Sequence, residues 1–403
     1  MSRKLSPPLT RPRQNYCPAI HLGICHSAQT TTYQSHHLQL SSLKPYHNPK
    51  FIINTPVKMA AQHTTQPSEM PETKKVIQIG TRRSALALVQ AQLVHDSLAA
   101  AHPELTFNIN AMATMGDKNQ VTPLHNFGAK ALWTFELEDG LLGGGLDIIV
   151  HCLKDMPTQL PAGAKIGAIT HREDPRDAFV AKKGTPYKSL KDLPAGSVVG
   201  TSSVRRSAQI ARNYPELKFK DVRGNLGTRL AKLDDPEGEY ACLILAAAGL
   251  QRLGEDARIT QLLDSKTEGG GIMYAVGQGA LAIEIRDGDE RMEGLLKGLI
   301  DEQSTFACLA ERSLMRTLEG GCSVPIGVET EWVEKGKLLM KAIVVSLDGK
   351  QAVEVQRLDE VLSEGDADQL GWKVAQDLVQ KGAGKILETI NLNRKLVEEG
   401  GNA

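Results

Sequence analysis

The sequence predicts an α/β protein in which strands and helices alternate, followed by a small α+β domain at the C-terminus. Three observations carry the prediction. From residue 75 onward, short β-branched runs give way repeatedly to stretches of good helix formers. Several of these runs end in glycine or in an arginine-bearing turn, just where a helix should begin. Near residue 300 the alternation stops, and two helical stretches flank three strand-like runs.

The elements follow in order. VIQIG (76–80) is a strand ending in glycine, and Ser84 to Ala100 is a helix with Leu86, Val89, Leu93 and Leu98 near helical spacing. FNINAMAT (107–114) alternates like a strand, residues 129–142 read as a helix, and LDIIV (146–150) is a buried strand. GSVVG (196–200) is a strand followed by a helix from about Ser203. LKFKDV (217–222) and NLGTRLAKL (225–233) are a strand and a helix, and ACLILA (241–246) is a strand that runs into a helix through Leu253. Such alternation implies βαβ units and mainly parallel sheets. The last strands fall at 325–331, 338–346 and 351–357. No internal repeat is evident.

With 403 residues, 41% of them hydrophobic, the chain can fill two or three cores. No run approaches the length of a membrane-spanning helix. The 47 basic and 47 acidic residues balance, which argues against a dedicated nucleic-acid binder. The balance hides an asymmetry, because residues 1–68 hold seven Lys/Arg and no Asp or Glu. Beyond them 40 basic residues face 47 acidic ones, a net charge of −7. The first 68 residues also hold six of the eleven histidines and are rich in Ser, Thr, Gln and Pro. Such a stretch cannot bury a core and is expected to be disordered. It also has the look of an organelle leader, and Met59, which opens MAAQHTTQ, is an alternative start. The six cysteines, at 17, 25, 152, 242, 308 and 322, form no CxxC pair and no zinc spacing, so free thiols are expected. GQGAL (277–281) lacks dinucleotide-loop spacing, and no Walker A motif occurs.

The arginines carry the first chemical signal. Arg82 and Arg83 follow the first strand, Arg205 and Arg206 follow GSVVG, and Arg223 follows LKFKDV with Arg229 six residues on. Arg252 ends the helix after ACLILA. In open α/β sheets ligands bind beyond the carboxyl ends of strands. Thr201, Ser202 and Ser203 are placed to cap a helix and leave N–H groups for an anion. Arginine adds a planar fork for carboxylates. A lone RR pair means little, but three such sites in an acidic domain point to a polyanion, a multi-carboxylate rather than a nucleic acid. In VHCLKDMP (150–157) the strand delivers Lys154 and Asp155 to its carboxyl end. An aspartate facing a basic cleft stays ionised and can accept N–H bonds or stabilise a developing cation. A plain Lys–Asp surface pair is the other reading, and His151 and Cys152 read as packing residues. In LEGGCSVPIG (318–327) Cys322 follows two glycines. It is either an accessible nucleophile or attachment point, or a buried small hydrophobe. Cys242 and Cys308 read as core.

GTRRSALALVQA, VHCLKDMP, REDPRDAFV, GTSSVRRSAQI, RGNLGTRL, LAAAGLQRL, AVGQGALAIE and ERSLMRTLEGGCSVPIG occur here in one order. Together they resemble the hydroxymethylbilane synthase (porphobilinogen deaminase) family, from about residue 75 to about 392. The resemblance implies the condensation of four porphobilinogen molecules, with loss of ammonia at each step, to linear hydroxymethylbilane in haem biosynthesis. It implies a covalent dipyrromethane cofactor on a thioether to Cys322, and Asp155 as the catalytic residue. Cofactor contacts map to Arg82, Ser84, Lys154, Ser202, Arg205, Arg206, Arg223 and Arg229. Substrate contacts map to Arg82, Arg223, Arg229, Arg252, Gln278 and Lys130. No metal is implied. The resemblance also implies three domains, two of them like periplasmic binding proteins with the chain crossing between them twice. They fall at 75–174 with 274–300, at 175–273, and at 301–403, after a disordered extension over 1–74. Porphobilinogen is the expected partner of a cytoplasmic monomer, with no nucleic acid and no membrane; a leader in 1–58 is the alternative. Three departures stand out. TPLHNFGAKALW (122–133) falls on a loop that is commonly richer in Gly and Lys, so that Lys130 alone matches there. Arg83 sits where the family varies, and QLLDSKTEGG (261–270) reads as a short insertion. A non-catalytic anion-binding protein would need neither the GGC cysteine nor the KD aspartate, and a nucleic-acid or phosphosugar binder would need a basic domain or stacking aromatics.

Overall fold

The computed structural model describes residues 75–114, 134–268, 271–318 and 324–400. The extension 1–74, Lys130 and Cys322 lie outside the described residues.

Strand β1 (Val76–Arg82) buries Ile77 and Ile79 completely. It leads into α1 (Ala85–Ala101), capped by the Ser84 hydroxyl, which accepts from the Ala87 N–H. Helix α1 buries Ala87, Ala91, Val94 and Leu98, the spacing of one helical face. β2 (Thr106–Met112) pairs parallel with β1. After α2 (Phe135–Leu142), β3 (Ile148–Cys152) lies parallel along the other edge of β1, and β4 (Ala164–Ile169) follows. The chain then crosses to a second sheet. There it lays down β5 (Asp177–Ala181), β6 (Val198–Gly200), α3 (Val204–Asn213), β7 (Lys218–Lys220) and α4 (Leu226–Asp234). β8 (Tyr240–Ala246), α5 (Ala247–Arg252) and β9 (Gln261–Leu263) complete it. The chain returns to the first sheet as β10 (Leu281–Arg286), followed by α6 (Glu290–Leu296).

The strand orders are β2-β1-β3-β10-β4 and β7-β6-β8-β5-β9. The two are the same pattern, a repeat in space that the sequence does not display. In each sheet one strand is antiparallel to both of its neighbours, β10 in the first and β5 in the second. The sheets are therefore mixed rather than mainly parallel. Both strands arrive from the other lobe, so a crossing sets their direction instead of a returning helix.

Four strands, β4, β5, β9 and β10, gave no clear sequence signal. DAFVA (177–181) opens on an aspartate, and LAIEIR (281–286) holds a glutamate at its centre; both acids are fully buried. An acid in a short run hides a strand when the partners that satisfy it lie far along the chain. Residues 261–263, expected as part of an insertion, instead form the edge strand β9 against β5.

The third lobe begins with α7 (Glu302–Thr317) and continues through β11 (Ile326–Glu334), β12 (Lys337–Val345) and β13 (Ala352–Glu360), an antiparallel sheet in that order. α8 (Glu364–Gln380) and α9 (Ala383–Gly400) follow. The expected α+β texture is present. Helices α7 and α8 cross so closely that a Cβ on Gly371 would lie 2.0 Å from the Ala310 carbonyl oxygen. Leu314, Leu338 and Leu370 are fully buried beside that crossing, each contributing roughly 1.5–3 kcal/mol. Among the described residues no helix is long and apolar enough to cross a membrane.

Candidate active site

The candidate residues sit where strands end. Arg82 is the last residue of β1, and Ser84 caps the helix that follows. β3 runs into a 3₁₀ turn, Leu153–Asp155, in which Leu153 is buried as a plug while Lys154 and Asp155 are half-buried. Because β1 and β3 are neighbours, the Arg82 Nη1 comes within 3.9 Å of the Asp155 Oδ2. The Lys154 Nζ donates to the Gln278 Oε1 at 3.3 Å. On the second sheet β6 ends at Gly200, and Ser203 caps α3 by accepting from the Arg206 N–H. Ser202, expected to face a ligand, donates its hydroxyl to the Val222 carbonyl. Asn225 caps α4, and from that helix the Arg229 Nε donates to the Gly224 carbonyl at 2.8 Å. Gly224 has φ +114, a conformation that glycine adopts without strain. From the end of α5, Arg252 donates through Nη2 to the Gly279 carbonyl.

The charges of these groups are coupled. Burial pulls the Arg229 guanidinium down to about 10; Arg206, Arg223 and Arg82 push the same way, and Asp155 opposes them. One carboxylate and four guanidiniums therefore share a single electrostatic neighbourhood. Burial likewise pulls the Lys154 ammonium below the ordinary lysine value, with Asp155 opposing and Arg206 adding to the shift. An excess of partly desolvated cations is costly unless an anion joins them.

Not every expected residue faces this cluster. Arg205 is buried, and its Nη1 donates to the Asp177 Oδ2 and to the Met273 carbonyl, both at 2.7 Å. Arg206 is also buried and donates to the Asp177 Oδ1 through Nε and Nη2 and to the Ile244 carbonyl through Nη1. The expected exposed arginine pair is thus a buried pair clamped on one aspartate. Burial works against the ionised Asp177, but Arg205 and Arg206 outweigh it and hold the carboxyl well below the usual range. Gln278, expected as a substrate contact, is fully buried with its amide satisfied by protein groups. Arg83 is exposed.

Three packing expectations are met. His151 shares a buried 2.9 Å hydrogen bond with Glu284. Cys242 and Cys308 lie in the core, where burial pushes the Cys308 thiol up to about 12. Cys152, Cys242 and Cys308 are free thiols.

Residues 77–294 match the family model described as porphobilinogen deaminase, dipyromethane cofactor binding domain, and residues 305–380 match its C-terminal domain. The chain belongs to the porphobilinogen deaminase family. A relative so named from Neurospora crassa is 56% identical over 329 residues, 81% of this chain and 97% of that one. Those from Yarrowia lipolytica and Saccharomyces cerevisiae are 54% and 51% identical, each covering at least 80% of this chain and 95% of its own. Among solved structures, the periplasmic aliphatic sulphonate binding protein SsuA from Escherichia coli is 14% identical with a TM-score of 0.33, covering 61% of this chain and 71% of that one. The fold rests on the strand orders, not on that likeness. The porphobilinogen deaminase cofactor-domain match spans every described candidate residue from Arg82 to Gln278, and the C-terminal match includes Cys322.

One residue central to this cluster had no assigned role in the sequence. Asp177 stands in REDPRDAFV, a quoted motif, yet it organises both arginines. The signal was available: a charged residue opening an apolar strand needs a buried cation, and the RR pair is a ready source.

Proposed function

We propose that the chain is a hydroxymethylbilane synthase, which joins four porphobilinogen molecules head to tail and releases ammonia at each step. The observation that supports this best is Asp155, a carboxylate at the end of β3 that lies 3.9 Å from Arg82 and whose charge reaches Arg229. The residues present fit a dipyrromethane bearing acidic side chains. Arg206 is already held by Asp177, but Arg82 and Arg223 still add their charge to that of Arg229, which acidic side chains would offset, and the Nε of Arg252 is buried without a hydrogen-bond partner. Held on Cys322, a dipyrromethane supplies the pyrrole end on which the product grows.

The chain's own residues account for the rest. The guanidinium forks hold the acetate and propionate groups of each pyrrole. Arg82 orients Asp155. Asp155 accepts pyrrole N–H bonds and stabilises the cation that develops on the substrate as ammonia leaves. The pyrrole ring itself is uncharged in the ground state and gains less from that carboxylate, so the stabilisation is selective for the transition state. Lys154, anchored on Gln278, holds the same turn in place. Ser84 and Ser202, which follow β1 and β6, would add hydroxyl contacts to the cofactor, and Lys130 belongs to the segment that precedes α2.

The moving units in this proposal are 75–174 with 274–300, 175–273, and 301–403. The enzyme works as a cytoplasmic monomer on a small molecule, without nucleic acid or membrane. Incubation with porphobilinogen tests the reading. Ammonia released in fourfold excess over linear tetrapyrrole is the expected result; binding of porphobilinogen with no ammonia would leave only an anion-binding protein.

A second prediction concerns Arg223. Its charge pushes against Arg229, so removing it relieves repulsion while taking away a carboxylate holder. Arg223→Ala is expected to melt within a few degrees of wild type and to accumulate protein lacking cofactor or stalled part-way in elongation. Intact-mass spectra read the second effect directly. A large fall in melting temperature with normal specific activity would make Arg223 a structural residue instead.

A further inference from the structure

One buried amide joins the catalytic turn to the arginine pair of the other lobe. Gln278 is fully buried. Its Oε1 accepts from the Lys154 Nζ at 3.3 Å, and its Nε2 donates to the Asp177 Oδ1 at 2.9 Å and to the Pro175 carbonyl at 2.7 Å. The direction of the amide is fixed by chemistry, because an ammonium cannot accept and an ionised carboxylate cannot donate. Asp177 in turn holds Arg205 and Arg206. A continuous run of hydrogen bonds and ion pairs therefore passes from the turn that carries Asp155, through Gln278, to the start of α3.

The backbone at this point is equally constrained. Gly277 and Gly279, on either side of Gln278, have φ of +69 and +89, and a Cβ on Gly279 would fall 2.3 Å from the Glu173 carbonyl oxygen. The two crossings thus touch here. The third lobe reaches the same spot, since the Gly277 N–H donates to the Glu311 Oε2 and the Gln278 carbonyl accepts from the Arg172 Nε. Arg172 and Glu311 form a two-pronged ion pair at 2.7 and 3.0 Å.

We propose that Gln278 is a positioning residue: its amide couples the Lys154–Asp155 turn to the Asp177–Arg205–Arg206 cluster, so that the turn is set for catalysis only when the second lobe is docked. The inference rests on the porphobilinogen reading but assigns Gln278 a role away from substrate. A side chain this buried, with both amide atoms engaged, is suited to transmit position rather than to bind a ligand. The charged and titratable groups around the Lys154 ammonium are Asp155 and Cys152 on its own segment and Asp177 and Arg206 from the second lobe. Without the Gln278 carbonyl, Lys154 loses a neutral acceptor that favours its charged form.

The test uses the full chain carrying Gln278→Leu and, separately, Gln278→Glu. Three quantities are read: intact mass, the kcat and KM for porphobilinogen, and the pH profile of kcat. Gln278→Leu is expected to carry the same cofactor adduct as wild type and to lose about 10- to 100-fold in kcat. Its KM should stay within about twofold, because no substrate contact is removed. The alkaline limb of its kcat profile should move to lower pH. Gln278→Glu should regain kcat relative to wild type as the pH falls, since a protonated carboxyl can again donate to Asp177 while accepting from Lys154. If Gln278→Leu does not fold, this acid recovery alone decides the matter. Wild-type kcat and pH profile in Gln278→Leu would overturn the proposal. A raised KM with unchanged kcat would also overturn it and return Gln278 to substrate binding. A wild-type protein without adduct or turnover would sink the enzyme reading itself, a different failure from an adduct-bearing wild type with an indifferent Leu variant.

Discussion

Asp155→Asn is expected to fold, to load its cofactor, and to turn over porphobilinogen about 10²- to 10³-fold more slowly than wild type, the range found when one preorganised electrostatic stabiliser is removed. The stability change should be small. Asp155 is about one-third exposed, and its pairing with Arg82 is 3.9 Å long, so the pair is worth at most about 1 kcal/mol. What Asn cannot supply is negative charge facing a developing cation. It still accepts a hydrogen bond, which is why binding should survive better than turnover. Steady-state kinetics beside a melting curve separate the two effects. Near-normal kcat in a folded, loaded Asp155→Asn would remove the catalytic role.

Asp177→Asn should do the opposite, with its largest effect on stability. The carboxylate is fully buried and serves two buried guanidiniums. Breaking a buried ion pair by neutralising one partner typically costs about 3–5 kcal/mol. In a protein of this size that lowers the melting temperature by about 4–7 °C. The pH dependence has a definite sign. The folded-state carboxyl is held below its ordinary value, so its contribution is complete above about pH 4, the unfolded value, and is lost as the pH falls below it. The gap in melting temperature between wild type and variant should therefore be widest at neutral pH and close on acidification. A gap that stays constant down to pH 3 would show that the ion pair is not the source. Calorimetry across pH measures this.

Lys154–Asp155 was legible because a buried β-branched run ended abruptly in two charged residues before a proline, and charge at a strand end has few structural uses. Arg82, Arg223 and Arg229 were legible for the same reason. Arg205 and Arg206 were seen at the correct junction but read as facing the cleft. Their true partner, Asp177, lies 28 and 29 residues away along the chain. Nothing local distinguishes a guanidinium aimed at a ligand from one aimed at a buried acid. Gln278 shows the same limit, since its amide spans 124 residues to Lys154 and 101 to Asp177. The fold followed a similar rule. Elements with local periodicity, such as α1 and the three C-terminal strands, were placed within a few residues. β5 and β10 were missed because each buries an acid whose hydrogen-bond partners lie far along the chain, and those same strands carry the crossings. The lobe connection and the buried charge network thus escaped the sequence together, and for one physical reason.

We propose that Cys322, in the segment between α7 and β11, carries the primer on which this site works. Intact mass of the protein made in a porphobilinogen-competent host, measured beside Cys322→Ser, tests it most directly. The expected result is a wild-type mass higher than the sequence mass by one dipyrromethane, with no adduct on the serine variant. A folded wild type at its bare sequence mass, unchanged after incubation with porphobilinogen, would rule out a primer on Cys322 and leave a two-lobed anion-binding protein in its place.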